Sequence, residues 1–500
     1  MGTIAEKIEA ERISHAVKTP EYHKKKFGQY FTPLSIADYM ASLFPVTHEP
    51  IKILDPGAGI GTLSCALLNR ISVEGWNNPS LNVSAYDIDK DVLEILNQNL
   101  KNESLKFDNF SFSVSEDDFL QKTSFEYSFG KGERFSHIIM NPPYKKILTK
   151  SAARGYARCF GFETVNLYSA FVGAAIALLQ DGGYLVAIIP RSFCNGVYYK
   201  PFREFIIKNC SIRHIHLFES RKDAFKDEAV LQENVIVALQ KNEKQGKVEI
   251  SYSSDASFTD LVTMSYDFES IVKPADSEMY INIPFPSKKS ASCFFSSDFV
   301  SLMETGISVS TGPIVDFRLK NSLKMNPEDN TIPLFYPIHF RNFKTEWPKI
   351  SKKPNAILST AETSSMFVPA GYYVVVKRFS TKEEDKRIVA SIISAEDVKT
   401  TAFAFENHLN VFHIGKKGLP KEIAYGLLVW LNTSFLDNQF RLFSGHTQVN
   451  ATDLRNLPFP KVQVLRAMGK ELQKNNKLTL ENFDCIAVEM LNEKSETANF

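Results

Sequence analysis

A glycine-rich turn between an apolar strand and a helix constrains the fold of this 500-residue chain more than any other feature. Residues 51–54 predict a short strand, residues 55–61 read Asp-Pro-Gly-Ala-Gly-Ile-Gly, and residues 62–71 predict a helix. The alternation continues along the chain. Further strands are predicted at 81–86, 110–114, 135–140, 183–189 and 235–240, and further helices at 91–100, 166–179 and 200–208. Such alternation predicts a parallel, doubly wound α/β sheet, in which ligands bind at the carboxyl ends of the strands.

The pattern changes after about residue 248. Several prolines and a serine-rich run over 274–297 predict a connecting segment. Beyond it, β-rich stretches at 371–377 and 402–414 and a helix at 423–431 predict a looser α+β domain. Because 500 residues exceed what one hydrophobic core usually organises, we expect two domains, 1–248 and 249–500.

Composition limits the class of protein without indicating a function. The chain is 44% hydrophobic and 23% charged, with a net charge of +1, as in an ordinary soluble protein. No apolar run reaches membrane-spanning length, and residues 1–11 lack the apolar core of an export signal. The six cysteines are scattered without a CxxC pair. We therefore expect a cytoplasmic protein with neither a disulfide framework nor a metal site.

The glycine turn is the first candidate binding site. Gly57, Gly59 and Gly61 allow the backbone to approach a ligand closely, and Asp87, at the end of the second strand, is placed to hold ribose hydroxyls. NAD, FAD and S-adenosylmethionine enzymes all use such turns. The GxGxG spacing and the acid-proline pair that begins at Asp55 favour a ligand without a pyrophosphate.

Two further segments complete the predicted cofactor pocket. Thr32, in the upstream segment 27–33, is placed to bond a carboxylate of the ligand. Asp118 and Phe119 follow the predicted strand 110–114, where they are placed to hold an adenine amino group and its ring face.

The run Asn141-Pro142-Pro143-Tyr144 directly follows the predicted strand 135–140. An exocyclic amine on an aromatic base is a poor nucleophile because its lone pair is delocalised into the ring. The Asn141 side-chain oxygen and the Pro142 carbonyl are each placed to accept one N–H of such an amine, while Pro143 stiffens the loop. Tyr144 offers a stacking face for a base taken out of a duplex. The motif predicts methyl transfer to a planar nitrogen of adenine, cytosine or glutamine.

With these motifs, the chain resembles the gamma group of N6-adenine DNA methyltransferases from type II restriction–modification systems, and is similar to the PstI/BsuBI-type modification methylases. Segments along nearly the whole chain take part in the group's order: 27–33, 55–61, 87, 118–119, 141–144, 166–168, 231–234, 310–318, 377–380 and 444–455. The resemblance implies a Rossmann-like S-adenosylmethionine-dependent methyltransferase domain followed by an α+β DNA target-recognition domain.

The resemblance also implies roles for individual residues. The cofactor S-adenosyl-L-methionine would be bound by residues in and around the glycine turn, namely Thr32, Asp55, Gly57, Gly59, Gly61, Asp87, Asp118 and Phe119. The target base would be held by Asn141, Pro142, Pro143 and Tyr144, with Phe225 as the candidate second aromatic face. In the C-terminal half, side chains that read adenine edges or bond phosphates give the DNA-binding candidates Lys377, Arg378, His446, Gln448 and Asn450.

The implied function is site-specific methylation of adenine N6 in double-stranded DNA, which protects host DNA from a cognate restriction endonuclease. We expect a monomer on DNA, linked to the endonuclease functionally rather than as a required physical partner, and no membrane association. Alternatives stay open: an RNA adenine methyltransferase, a protein-glutamine N5 methyltransferase, or a non-catalytic DNA-binding protein on the same scaffold. C5-cytosine chemistry is disfavoured because no cysteine follows a proline. N4-cytosine enzymes usually carry serine where this chain has Asn141.

Overall fold

A computed structural model of the chain describes residues 8–14, 31–76, 80–148, 150–218, 233–274, 276–284, 299–380, 384–443 and 447–497. The chain divides into two compact units, unit 1 at Met1–Pro284 and unit 2 at Phe285–Phe500. This division falls inside the expected connecting segment 274–297. Unit 1 nevertheless extends past the expected limit at 248, because Val248–Ser253 and Val262–Tyr266 continue its sheet.

Unit 1 is built on a nine-stranded sheet in the order β3-β2-β1-β4-β5-β7-β6-β8-β9. Its strands are β1 (Ile51–Pro56), β2 (Leu81–Tyr86), β3 (Phe110–Ser115), β4 (Phe135–Met140), β5 (Leu179–Pro190), β6 (Cys210–Phe218), β7 (Asn234–Lys241), β8 (Val248–Ser253) and β9 (Val262–Tyr266). The strands predicted from the sequence are confirmed as β1 to β5 and β7.

Strand direction departs from the all-parallel prediction. Neighbouring strands from β3 to β5 are parallel, whereas β7 runs antiparallel to both β5 and β6. The reason is local: β7 pairs with the strand that precedes it in the chain, and such neighbours can pair in opposite directions without a crossover connection. The sheet is therefore mixed, with a parallel half that carries the candidate motifs.

The helices of unit 1 are α1 (Leu34–Ser42), α2 (Thr62–Val73), α3 (Lys90–Ser104), α4 (Phe119–Ser128), α5 (Ala152–Cys159), α6 (Leu167–Leu178), α7 (Lys200–Asn209) and the short α8 (Phe268–Ile271). The four predicted helices are confirmed as α2, α3, α6 and α7. Two hydrophobic clusters occupy the unit, one containing most of α6 and the other half of α2. Strand β4 is buried along its whole length, as expected for a central strand covered on both faces.

The parallel half of the sheet brings the candidate motifs to one edge. The glycine turn follows β1, Asp87 follows β2, Asp118 lies shortly after β3, and Asn141 follows β4. Since these four strands are parallel, their carboxyl ends lie on the same side of the sheet, where open α/β sheets bind ligands.

Unit 2 combines small sheets with helices, as predicted. Its strands are β10 (Phe299–Val300), β11 (Ser308–Thr311), β12 (Leu323–Lys324), β13 (Thr331–Phe335), β14 (Phe340–Arg341), β15 (Lys344–Thr345), β16 (Ala356–Leu358), β17 (Val368–Pro369), β18 (Tyr373–Lys377), β19 (Ala390–Ile393), β20 (Ala402–Phe405), β21 (Leu409–His413) and β22 (Phe459–Pro460). The larger sheets have the orders β12-β16-β13-β20-β17 and β11-β21-β18-β19. The predicted β-rich stretches are confirmed as β18, β20 and β21.

The helices of unit 2 are α9 (Lys421–Leu431), α10 (Ser434–Phe443), α11 (Ala451–Arg455), α12 (Val462–Asn475) and α13 (Leu480–Thr497), and α9 confirms the predicted helix. Helices α9 and α12 touch through their backbones. A Cβ added to Gly426 would stand 1.7 Å from the Leu465 carbonyl oxygen, and one added to Gly469 would stand 1.8 Å from the Glu422 carbonyl oxygen. Each helix therefore approaches the other at a residue without a side chain.

Within the described ranges, no helix of either unit is both long and apolar enough to span a bilayer.

Candidate active site

A cleft with an empty volume of about 900 Å³ lies at the carboxyl ends of β1, β2 and β4. The cleft brings together most of the residues predicted to bind the cofactor and part of the predicted catalytic loop, namely Thr32, Gly57, Gly59, Asp87, Asp118, Phe119, Asn141 and Pro143.

The glycine turn forms one wall of the cleft with its backbone. Gly59 and Gly61 have φ angles of 55° and 87°, which a residue with a side chain adopts only with strain. A Cβ on Gly59 would stand 3.1 Å from Cε1 of Phe31, and one on Gly61 would stand 2.8 Å from Cδ1 of Leu96. Both the positive φ angles and the lack of room for a Cβ atom favour glycine, so a ligand in the cleft would contact main-chain atoms of the turn.

Asp87 ties the turn to the end of β2. Its carboxylate accepts the Gly59 N–H at 2.7 Å and the Asp89 N–H at 2.9 Å. Burial raises the pKa of Asp87, and the backbone hydrogen bonds oppose that rise. A carboxylate has about four acceptor positions. Asp87 can therefore hold the turn and still accept hydroxyl groups of a ligand in the cleft.

Asn141 lies opposite the turn and is held by Thr32. The Asn141 side-chain N–H donates to the Thr32 hydroxyl at 3.0 Å, and Thr32 is itself buried. The bond sets the nitrogen end of the amide toward Thr32. A Cβ on Gly57 would stand 3.8 Å from both the Asn141 carbonyl oxygen and Cδ of Pro143, so the glycine turn and the Asn-Pro-Pro loop face each other. Thr32 thus orients Asn141 as well as lining the cleft.

Pro142 and Tyr144 lie beside the cleft rather than in its wall. Pro142 is buried and Tyr144 half-buried. The Tyr144 hydroxyl donates to the Ile188 carbonyl oxygen at 3.0 Å, and its ring meets that of Tyr168 edge-on with centroids 6.2 Å apart. Strand β5 and helix α6 therefore fix the orientation of the Tyr144 ring.

Two predicted cofactor residues, Asp55 and Gly61, belong to the turn but do not line the cleft. Asp55 is fully buried and accepts the Ser64 hydroxyl at 2.6 Å, and burial raises its pKa to about 7. Gly61 is the residue before α2. Asp118, by contrast, lines the cleft and also caps α4, because its carboxylate accepts the Gln121 N–H at 3.0 Å.

Sequence reasoning did not name the residues that complete the wall of the cleft. They are Phe31, Ala58, Thr62, Leu63, Tyr86, Ile88, Asp117, Leu167 and Phe171. Most of them are next in sequence to a residue that was predicted, so their proximity to the motifs could have identified them. Leu167 and Phe171 are four residues apart on α6 and so share a helix face, a spacing visible in the sequence.

The predicted DNA-binding residues that the structure describes come together in unit 2. Val449 N donates to the Arg378 carbonyl oxygen at 2.7 Å, and Phe379 pairs with Gln448 in an antiparallel bridge. Lys377 ends β18 in the same segment. Phe225 and His446 lie outside the described residues.

Asn450 has a helix-capping position that the sequence prediction did not assign. It is the N-cap residue of α11, and its backbone N–H and side-chain amide donate to Asp453 Oδ2 at 2.9 and 3.2 Å. Its side chain therefore stabilises the start of a helix.

Comparisons with known proteins agree with this geometry. Residues 59–225 match the family described as Eco57I restriction-modification methylase. The chain is 44% identical over 488 residues to type II methyltransferase M.BsuBI of Bacillus subtilis, covering 95% of both chains. It is 38% identical over 457 residues to type II methyltransferase M.PstI of Providencia stuartii, covering 90% of both. The solved structure of the type IIL restriction-modification enzyme MmeI in complex with DNA is similar in fold, with a TM-score of 0.50 at 10% identity over 98% of this chain and 73% of that one.

S-adenosylmethionine is the cofactor of this methyltransferase, and the cleft fits its parts. It is lined by the kinds of group that such a ligand requires, namely the buried aromatic ring of Phe119, the buried carboxylate of Asp87 and a glycine backbone that leaves room for close approach. High identity over nearly the full length of two type II enzymes, together with this cleft, shows that the chain belongs to the type II DNA methyltransferases of restriction–modification systems.

Proposed function

We propose that the protein methylates adenine at N6 within a specific sequence of double-stranded DNA, and so protects host DNA from a cognate restriction endonuclease. The observation that carries this proposal is the position of Asn141. It lines the same cleft as Asp87 and the glycine turn, so an amine held by Asn141 lies next to the cofactor. The proposal is specific to adenine because asparagine at this position is typical of N6 chemistry.

Asn141 and Pro142 prepare the amine for methylation. The Asn141 side-chain oxygen accepts one N–H and the Pro142 carbonyl accepts the other, which draws the nitrogen lone pair out of conjugation with the ring. When bound, S-adenosylmethionine supplies a methyl group activated by its sulfonium. Because both acceptors are held in place, alignment provides much of the rate, and no side chain needs to form a covalent bond.

The remaining roles follow from positions around the cleft. Tyr144, with its ring fixed by Ile188 and Tyr168, stacks on the target base after the base leaves the duplex, and Phe225 is the proposed second aromatic face. Cofactor contacts come from the residues that line the cleft, namely Thr32, Gly57, Gly59, Asp87, Asp118 and Phe119. Asp55 and Gly61 keep the turn in shape.

Unit 2 is the proposed target-recognition domain. Lys377, Arg378 and Gln448 lie in neighbouring segments, where basic groups bond phosphates and an amide reads base edges. The MmeI enzyme, which is similar in fold, was solved in complex with DNA. We further propose that the protein acts as a monomer on DNA and that His446 contacts DNA.

A labelling experiment tests the proposal against its alternatives. The protein is incubated with S-adenosylmethionine labelled in the methyl group and with unmethylated duplex DNA, RNA or total protein, and each substrate is hydrolysed and separated. Label in N6-methyladenine from the duplex is expected. Label in N4-methylcytosine, in RNA or in a glutamine residue would replace the proposed substrate. DNA already methylated to completion by the enzyme is the matched control and should take up no further label.

A further inference from the structure

A half-exposed histidine in unit 2 is held by a carboxylate that is completely buried. Glu406 is 0% exposed, whereas the side chain of His408 is 43% exposed. The Glu406 carboxylate accepts the His408 backbone N–H at 2.9 Å and also the His408 ring N–H at Nδ1. Burying a carboxylate is costly unless it is paired and hydrogen-bonded. Here the buried acid serves to orient one exposed imidazole.

The turn that carries this pair is held on both sides. On one side, Asn407 N donates to the Ile314 carbonyl oxygen at 2.9 Å. A Cβ on Gly312 would stand 2.3 Å from the Glu406 carbonyl oxygen, so the neighbouring segment approaches at bare backbone. On the other side, Arg378 N donates to the His408 carbonyl oxygen at 2.9 Å. The imidazole is therefore positioned before any ligand arrives, as precise recognition requires.

The surroundings of His408 match those of a DNA-reading side chain. We use the name junction surface for residues 377–380, 406–409 and 447–449, which hydrogen-bond to one another in that part of unit 2. Phe379 is 48% exposed, and its ring lies 5.1 Å from the His408 ring. Lys377 and Arg378 supply positive charge on the same segment. Basic side chains, an exposed aromatic ring and an oriented imidazole together are more typical of a nucleic-acid-binding surface than of an ordinary solvent-exposed turn.

The carboxylate also determines what the imidazole offers. Because Nδ1 is engaged by Glu406, Nε2 is the ring nitrogen left to meet a ligand, as an acceptor on the neutral ring and as an N–H donor on the protonated ring. No contact to Nε2 is found among the described residues. In the major groove, an acceptor at Nε2 would meet the amino groups of adenine N6 and cytosine N4, and a donor there would meet acceptors such as guanine N7 and O6. An apolar ring such as that of Phe379 suits a thymine methyl group.

We propose that His408 is a specificity-determining residue, whose Nε2 forms a hydrogen bond with the edge of one base in the recognition sequence, with Glu406 as its positioning residue. The inference rests on the proposed function only in taking unit 2 as the DNA-binding domain. It assigns sequence discrimination to the junction surface and does not depend on which base is methylated.

The test is selection of bound duplexes from a randomised double-stranded DNA library, followed by sequencing, with the full-length protein. His408→Asn keeps an amide N–H for Glu406 but removes the atom at the Nε2 position. This variant should lose roughly 10- to 100-fold of discrimination at one position of the enriched sequence, with the other positions unchanged. Glu406→Gln should weaken discrimination at that same position to a smaller degree. His413→Asn, at the far end of strand β21, which begins directly after His408, is the control and should leave every position unchanged.

Other outcomes separate the two proposals. Unchanged discrimination in His408→Asn, or a uniform loss at all positions with an unchanged melting temperature, would overturn the inference, because a phosphate contact or no contact would then explain His408. A wild-type protein that enriches no sequence would overturn it as well. A wild-type protein that enriches a sequence but methylates no adenine in it would instead overturn the proposed function alone.

Discussion

The Asn141 side chain donates a hydrogen bond to the Thr32 hydroxyl across 3.0 Å, which joins two residues 109 positions apart in the chain. Thr32 lies just before helix α1, and Asn141 follows the central strand β4. The bond thereby connects the segment that precedes the sheet to the loop proposed to bind the target amine. It makes the orientation of Asn141 depend on a residue that itself lines the cofactor cleft.

Thr32→Val should lower the rate of methyl transfer at saturating cofactor roughly 3- to 10-fold, because valine has nearly the shape of threonine but cannot accept the Asn141 N–H. The rate is measured in single turnover with unmethylated duplex DNA. Thr32→Ser keeps the hydroxyl and should stay close to the wild-type rate. Equal rates for the valine and serine variants would show that the bond does not orient Asn141.

Asn141→Ala should reduce the methyl-transfer rate at least roughly 10²- to 10³-fold, the usual effect of removing one oriented polar group from a transition state. DNA affinity, measured by fluorescence anisotropy, should change little, since no proposed phosphate contact is lost. Asn102→Ala, on the exposed face of α3, is the control and should retain full activity. Substantial activity in Asn141→Ala would remove the residue from the mechanism.

His137 should make the protein less stable in acid. Burial, and then the nearby charge of Arg70, lowers the pKa of His137 from 6.5 to about 4. Between these pH values the unfolded chain holds one more proton than the folded chain, so the free energy of unfolding falls as pH falls through this window. The ring stacks on Phe44 with centroids 5.2 Å apart, and within the described part of the chain its Nε2 has no hydrogen-bond partner.

His137→Phe keeps the stacking and removes the titration. Its loss of unfolding free energy between pH 7.5 and pH 4.5, measured by urea unfolding, should be smaller than that of the wild type by up to about 3 kcal/mol. His48→Phe, at an exposed position, should leave the pH dependence as it is. A variant with the same acid sensitivity as the wild type would show that His137 does not titrate in this window.

Lys377→Ala should weaken DNA binding to a similar degree on all sequences and reduce the slope of log affinity against log salt by about 1, as expected for the loss of one phosphate contact. Binding is measured at several salt concentrations with cognate and unrelated duplexes. Lys399→Ala, at an exposed lysine of unit 2, serves as the control. If only the cognate duplex loses affinity, Lys377 reads a base instead.

Asn450→Ala should lower the stability of unit 2 by about 1 kcal/mol, the usual cost of losing a helix N-cap, and leave the relative preference among DNA sequences intact. Thermal melting and the duplex selection measure the two effects. Asn450→Ser, which keeps a good N-cap, should melt close to the wild type. A changed sequence preference with an unchanged melting temperature would show that Asn450 acts as the DNA-binding residue that the sequence predicts rather than through its helix cap.

The local part of the fold could be predicted because its signals are local. The apolar run at β1, the glycines after it and the periodic helix α2 lie within about twenty consecutive residues, and the structure has them as expected. The direction of β7 could not be read in this way, because strand direction depends on which partner a strand finds. The same holds for the hydrogen bond between Thr32 and Asn141, since no spacing rule relates residues so far apart.

In the candidate site, too, local features could be predicted from the sequence and long-range contacts could not. The polar residues of the cleft follow strand ends and could be named, whereas Phe171 reaches the wall only because α6 packs there. Asn450 is predicted to contact DNA, and its capping position could also have been predicted, because Asp453, three residues on, is a capping signal visible in the sequence. The sequence carries no such signal for His408. Its pairing with Glu406 becomes apparent only in the structure, where Glu406 is buried and the His408 side chain is half-exposed.

The contact between Gly426 and Gly469 makes one part of unit 2 less tolerant of substitution than another. Any side chain at either glycine would have to displace a backbone carbonyl of the opposite helix, so the α9–α12 crossing resists gradual substitution. The turns at the junction surface make no comparable contact except at Gly312. New DNA preferences would therefore be expected to arise by mutation of those turns, on a helical support that stays fixed.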